Sequence, residues 1–174
     1  MEYLKSISKE EFKDNISIFF PNIITGFDLY KNCILSPSSS NLKEAENSYI
    51  NFIKKCFELN NKCVYVDFYI NSIDSNSVDI IYRGLDEEDR YIFNKIKGIK
   101  PRSYFFMVLD EKVLKLFVKM CTRELFFITF YFSKHPITIW GNYNLKFPIF
   151  YKEDVEFQKY KEILKECNFN FIFN

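Results

Sequence analysis

The sequence predicts an α+β fold: one domain with a mostly antiparallel sheet of five or six strands and helices packed mainly on one face. Three observations predict it. Segments whose apolar residues recur at three and four are interspersed with segments whose apolar residues recur at two. Two strand-like segments are separated by only four residues, a hairpin length. Several strands alternate strongly apolar residues with Tyr, Trp, Thr or Asp, the pattern of a sheet with one buried and one partly open side. The 174 residues suit a single core spanning residues 1–174.

Ser8-Lys9-Glu10-Glu11 is a capping box, so a short helix starts there and ends before Pro21. Pro21 to Ser40 holds Gly26, Pro37 and a serine cluster and reads as a long irregular connection. From Asn41 to about Leu59, the residues Leu42, Ala45, Tyr49, Phe52, Ile53, Cys56 and Leu59 share one helical face. After Asn60-Asn61 the period becomes two. A strand over Lys62–Ile70 turns Val64, Val66, Phe68 and Ile70 one way and Cys63, Tyr65, Asp67 and Tyr69 the other.

Val78 to Arg83 reads as a weaker strand. A helix follows from Asp86, where Asp86-Glu87-Glu88-Asp89 complements the positive end of the dipole, to near Gly98 and Pro101. Tyr104–Leu109 is a buried strand, and Asp110–Met120 another helix. Leu125–Phe132 and Ile137–Tyr143 then form a hairpin across Ser133-Lys134-His135-Pro136. With Phe132 opposite Ile137, the pairs are Tyr131 with Thr138, Phe130 with Ile139, and Thr129 with Trp140. Phe147–Tyr151 adds a strand, Asp154–Cys167 an amphipathic helix, and Phe169–Phe173 a terminal strand.

Composition limits the function classes. Lys plus Arg is 24 against 23 for Asp plus Glu, a net charge of +1, which argues against general nucleic-acid or membrane-surface binding. No apolar run reaches the roughly 20 residues of a membrane helix. No secretory leader opens the chain, and the five cysteines have no C-x-x-C spacing, so a reduced, cytoplasmic setting is expected. Aromatic residues make up 20%, and Phe, Ile, Asn, Lys and Tyr dominate, as A/T-rich codons in a low-G+C bacterial genome would produce.

Chemical motifs are weak. His135, the only histidine, could join Cys121 and Asp110 in a nucleophilic trio, but a solvated loop histidine is the simpler reading. The Asp86–Asp89 carboxylates point in successive directions from a helix start and do not converge on a cation. Lys95, Lys97, Lys100 and Arg102 could hold phosphates beside Tyr104, yet a solvated loop fits the neutral chain better. No metal site and no cofactor are expected.

The remaining candidate is a sheet face carrying Thr129, Tyr131, Thr138, Trp140 and Asn142, extended by Tyr65, Asp67 and Tyr69. Such residues combine large contact area with a polar handle, as interfaces do. Either this face binds a macromolecule or a helix or the 21–40 segment covers it. The expected function is a non-catalytic protein-binding module, like small bacterial accessory or immunity-type proteins in size and charge, whose partner is another protein or a second copy. The alternative is an enzyme or small-ligand binder with a pocket between the sheet and residues 21–40, lined by Asp67, Tyr69, Tyr131 or Trp140.

Overall fold

In the computed structural model of the chain, which describes residues 2–69 and 72–173, eight strands form one open antiparallel sheet. They are β1 (Leu4–Ser6), β2 (Lys31–Pro37), β3 (Tyr65–Asp67), β4 (Phe105–Val108), β5 (Thr129–Phe132), β6 (Ile137–Trp140), β7 (Pro148–Tyr151) and β8 (Phe169–Phe173). Their spatial order is β1-β4-β3-β5-β6-β7-β2-β8. The α+β class and antiparallel sheet agree with the sequence reading, but the sheet has eight strands, not five or six.

Two strands were hidden and one was misread. β1 spans only three residues, too few to show a period. β2 occupies the segment read as irregular. Its Cys33 and Leu35 are buried while Pro37 stands at its last position, where a missing N–H costs least. The same segment also contains helix α2 (Ile23–Leu29), capped by Asn22, whose side chain accepts the Thr25 N–H. Val78–Arg83 is helical, inside α4 (Ser75–Gly84). Its β-branched residues suggested a strand, but Asp74 caps the segment at Ser77 N–H and Ile81 is buried from the helix.

The other helices are α1 (Lys9–Asn15), α3 (Leu42–Leu59), α5 (Glu87–Ile96), α6 (Glu111–Thr122) and α7 (Asp154–Glu166). The capping box forms half as expected, with Ser8 Oγ accepting the Glu11 N–H at 3.0 Å. The main core lies between one sheet face and α3–α7. It joins Leu35, Val66, Phe106, Phe130, Ile139 and Ile149 to Phe52, Phe93, Phe117 and Leu164. The hairpin register is the one read from the sequence: Thr129–Trp140, Phe130–Ile139, Tyr131–Thr138 and Phe132–Ile137. β3 is shorter than expected and ends at Asp67; the expected end at Ile70 lies outside the described residues.

The second sheet face carries two smaller cores. Phe12 of α1 stacks on Phe105 at 3.7 Å between ring centroids and meets Tyr131 edge-on, with Ile7, Ile16 and Tyr65 around them. Beside it, Ile18 and Phe20 pack on Phe150, with Ile23, Tyr30 and Trp140 at the margin. No described helix is long and apolar enough to cross a membrane.

Candidate functional site

The expected aromatic-polar face forms, and the chain covers it. Tyr65, Asp67, Thr129, Tyr131 and Thr138 are buried, Trp140 and Asn142 half-buried, and Tyr69 exposed. Burial follows from α1 and residues 16–20, which supply an apolar layer above these strands. Thr138 donates its hydroxyl to the Ile18 carbonyl at 2.7 Å, and the Trp140 indole stacks on Phe20 at 5.4 Å with 17° between planes. The cover is therefore largely an N-terminal helix and its following segment, joined by α2 through Phe27 against Phe150.

Asp67 is the polar centre of this covered face. Its carboxylate accepts the Thr129 N–H at 2.7 Å and the Tyr131 hydroxyl at 3.2 Å, across the β3–β5 pairing that sets Asp67 opposite Thr129. Burial pushes its pKa up to about 6, against the pull of these hydrogen bonds. Tyr69 leaves the group and stacks on Tyr104 at 4.6 Å. Asn142 instead ties a turn, donating to the Lys146 carbonyl at 3.3 Å. The space between the sheet and α2 is filled by Phe20, Phe27, Tyr30, Trp140 and Phe150. We expect Trp140→Ala to cost roughly 2–3 kcal/mol in urea unfolding, somewhat below a fully buried tryptophan. A loss under about 0.5 kcal/mol, the surface-substitution range, would show that the Phe20 stack carries no weight.

The sequence-level chemical candidates separate into structural roles. Cys121 is fully buried, and its sulfur accepts the Ile128 N–H at 3.3 Å. His135 Nδ1 lies 2.9 Å from Glu156 and from Lys159 Nζ, and Asp110 caps α6 at Lys112 N–H. The four carboxylates of the Asp86–Asp89 run do not converge together: Glu88 reaches Lys112 at 3.4 Å, and only the two ends of the run meet, on an amine. Asp86 and Asp89 both bind Lys119, which α6 holds in the core margin. Among the described residues no group of three or more His, Cys, Asp or Glu is placed to hold a metal ion. Lys95, Lys97, Lys100 and Arg102 are exposed, and Lys95 sits over the Tyr91 ring.

A surface that the sequence reading passed over lies at the other end of the sheet. Beyond Phe150 the second face continues through Ile34 of β2 and Ile172 of β8, which are cross-strand partners. Ile34 is half-buried and Ile172 is 64% exposed. Phe173 is 50% exposed on the opposite face, where its ring meets Phe157 and Phe171 edge-on and lies under Lys161 Nζ.

The backbone of β8 can be oriented from a single bond. Ser38 N–H donates to the Asn168 carbonyl at 2.9 Å, and the β2–β8 register continues this pairing through Ser36–Asn170 and Ile34–Ile172. Bonded pairs alternate with unbonded ones in an antiparallel ladder. The N–H and C=O groups of Asn170 and Ile172 are thus directed into β2, and those of Phe169, Phe171 and Phe173 face away from the sheet. No other described strand pairs with that edge.

The two sheet edges differ in protection. β1 is short, and its Lys5 pairs with Glu11 at 3.3 Å while Ser6 Oγ accepts the Arg102 N–H at 2.7 Å. β8 has five residues, Phe169-Asn170-Phe171-Ile172-Phe173, without a charge, proline or glycine. The signal was present in the sequence as an uncharged terminal strand; that β8 lies at an edge depended on β2. No family model matches the chain, and no curated protein or solved structure shows significant similarity to it.

Proposed function

We propose that the protein is a non-catalytic protein-binding module that takes an extended segment of a protein onto the free edge of β8. The observation carrying this reading is the unguarded edge itself. Natural sheets blunt their edges with charge, proline, bulges or brevity, because a row of unpaired N–H and C=O groups is a template for another strand. β8 has none of these devices along its five residues, while β1 is short and carries a lysine. Strand addition supplies affinity through main-chain hydrogen bonds and selectivity through alternate side chains. Here those side chains are Ile172 and Asn170 on one face and the phenylalanines on the other. The buried groups Asp67 and Lys119 fit this reading, since each is engaged by residues that hold elements together.

The test compares wild type with the double variant Asn170→Lys, Ile172→Lys in pull-downs from native lysate, using circular dichroism to confirm folding. Both positions are exposed, so each change should cost no more than about 0.5 kcal/mol. A protein retained by wild type and lost from the double variant is the expected result. Equal retention of a protein by wild type and the double variant would remove the edge as the binding surface.

A further inference from the structure

Resting on that reading, we infer that the strand added to β8 is β8 of a second copy, paired antiparallel about a two-fold axis through Phe171. The argument is one of register. The outward N–H and C=O groups belong to Phe169, Phe171 and Phe173, which are spaced evenly about Phe171. Turning the strand end for end places Phe169 opposite Phe173 of the second copy, Phe171 opposite its equivalent, and Phe173 opposite Phe169. Every outward donor then meets an outward acceptor. A closed two-fold contact must be self-complementary in this way, because one patch faces itself.

Side chains follow the same symmetry. The near-palindrome Phe-Asn-Phe-Ile-Phe puts rings opposite rings on the helix-covered face, where offset and edge-on aromatic contacts are favourable. On the other face Asn170 lies opposite Ile172 of the second copy, and each half-buried Ile34 remains alongside as an apolar flank. No like charges oppose one another along the strand, and the net charge of +1 adds little long-range repulsion between copies. An arbitrary partner strand would match the outward groups but need not match this side-chain order. The two sheets would join edge to edge and remove both free edges at once.

Sedimentation velocity and light scattering over a concentration series should show the mass rising from 21.0 kDa toward twice that value. The double variant Asn170→Lys, Ile172→Lys places like charges in both cross-strand pairs and should weaken association by about tenfold or more. The register has its own test. Asn170→Cys mixed with Ile172→Cys should give a disulfide-linked dimer under mild oxidation, since directly opposed unbonded pairs sit at about 4.5 Å between Cα atoms. Neither variant alone should cross-link through the engineered thiol, because the diagonal separation is about 7–8 Å.

A parallel arm measures binding of a lysine-flanked, fluorescent peptide of residues 168–173. A mass fixed at 21.0 kDa without cross-linking, together with peptide binding that the double variant lacks, would overturn self-pairing and leave strand addition standing. Absence of both would overturn both. A dimer that persists in the double variant would place the contact elsewhere and likewise overturn the inference.

Discussion

Replacing Lys119 by Met is expected to lower the unfolding free energy by about 3–5 kcal/mol, the range for breaking one side of a buried ion pair. Lys119 rises from α6 into a site formed by the start of α5, where its ammonium donates to Asp86 at 2.6 Å and also to Asp89. Asp89 is 2% exposed, so without the ammonium its carboxylate is left in a poorly solvated site. Asp86 simultaneously caps α5 at the Asp89 N–H, and the hydrogen bond from Lys119 holds its carboxyl well below the usual range. Removing the lysine therefore weakens the α5–α6 contact and the helix start together. At about 2–4 °C per kcal/mol for a chain of this size, the melting temperature should fall by roughly 6–20 °C.

Combining Lys119→Met with Asp89→Leu should recover much of this loss, because an apolar replacement of a buried pair is often neutral or better. Urea unfolding of the two variants tests the point. A single variant within about 1 kcal/mol of wild type would mean that water reaches Asp89 and that the pair is not closed to solvent.

Asp67→Asn is expected to act in the opposite direction, stabilising the protein at neutral pH. Burial raises the folded carboxyl from the ordinary 3.8 to about 6. Between those values the folded chain retains a proton that the unfolded chain has released. Its contribution to stability is therefore fullest below about 3.8 and declines as pH rises through about 6. The difference corresponds to something on the order of 3 kcal/mol. Asparagine can still accept the Thr129 N–H but carries no charge to desolvate, so wild type minus variant should become more negative by about that amount between pH 4 and pH 7. Chemical denaturation at the two values measures it. A pH-independent difference would show that Asp67 titrates as an ordinary carboxyl.

Local patterning made much of the fold legible. The hairpin register of β5 and β6 followed from strict alternation across a short loop, because a one-residue slip would turn Phe130 and Ile139 out of the core. α3 followed from its apolar period, and Asn41, Ser8 and Asp86 marked helix starts through side chains that accept backbone N–H groups. The same alternation correctly grouped Tyr65, Asp67, Thr129, Tyr131, Thr138 and Trp140 on one side of the sheet.

Whether that side was open could not be read from alternation. Phe12, Phe19 and Phe20 lie more than a hundred residues from Tyr131 and Trp140 in sequence, and only folding brings their rings together. α4 was lost for a related reason: Val78, Ile80 and Ile81 favour a strand locally, while the Asp74 cap and burial of Ile81 favour the helix. β1 and β2 were missed because one is too short to have a period and the other is flanked by turn-forming residues.

The sequence by itself determined the α+β class, the hairpin register and the uncharged character of Phe169–Phe173, since these depend on side-chain period and residue chemistry within a few neighbouring positions. The tertiary structure decided that the Asp67 face is roofed and that β8 lies at the margin of the sheet beside β2. Those outcomes depend on which distant segments bury their apolar groups against each other, a competition settled by the whole core.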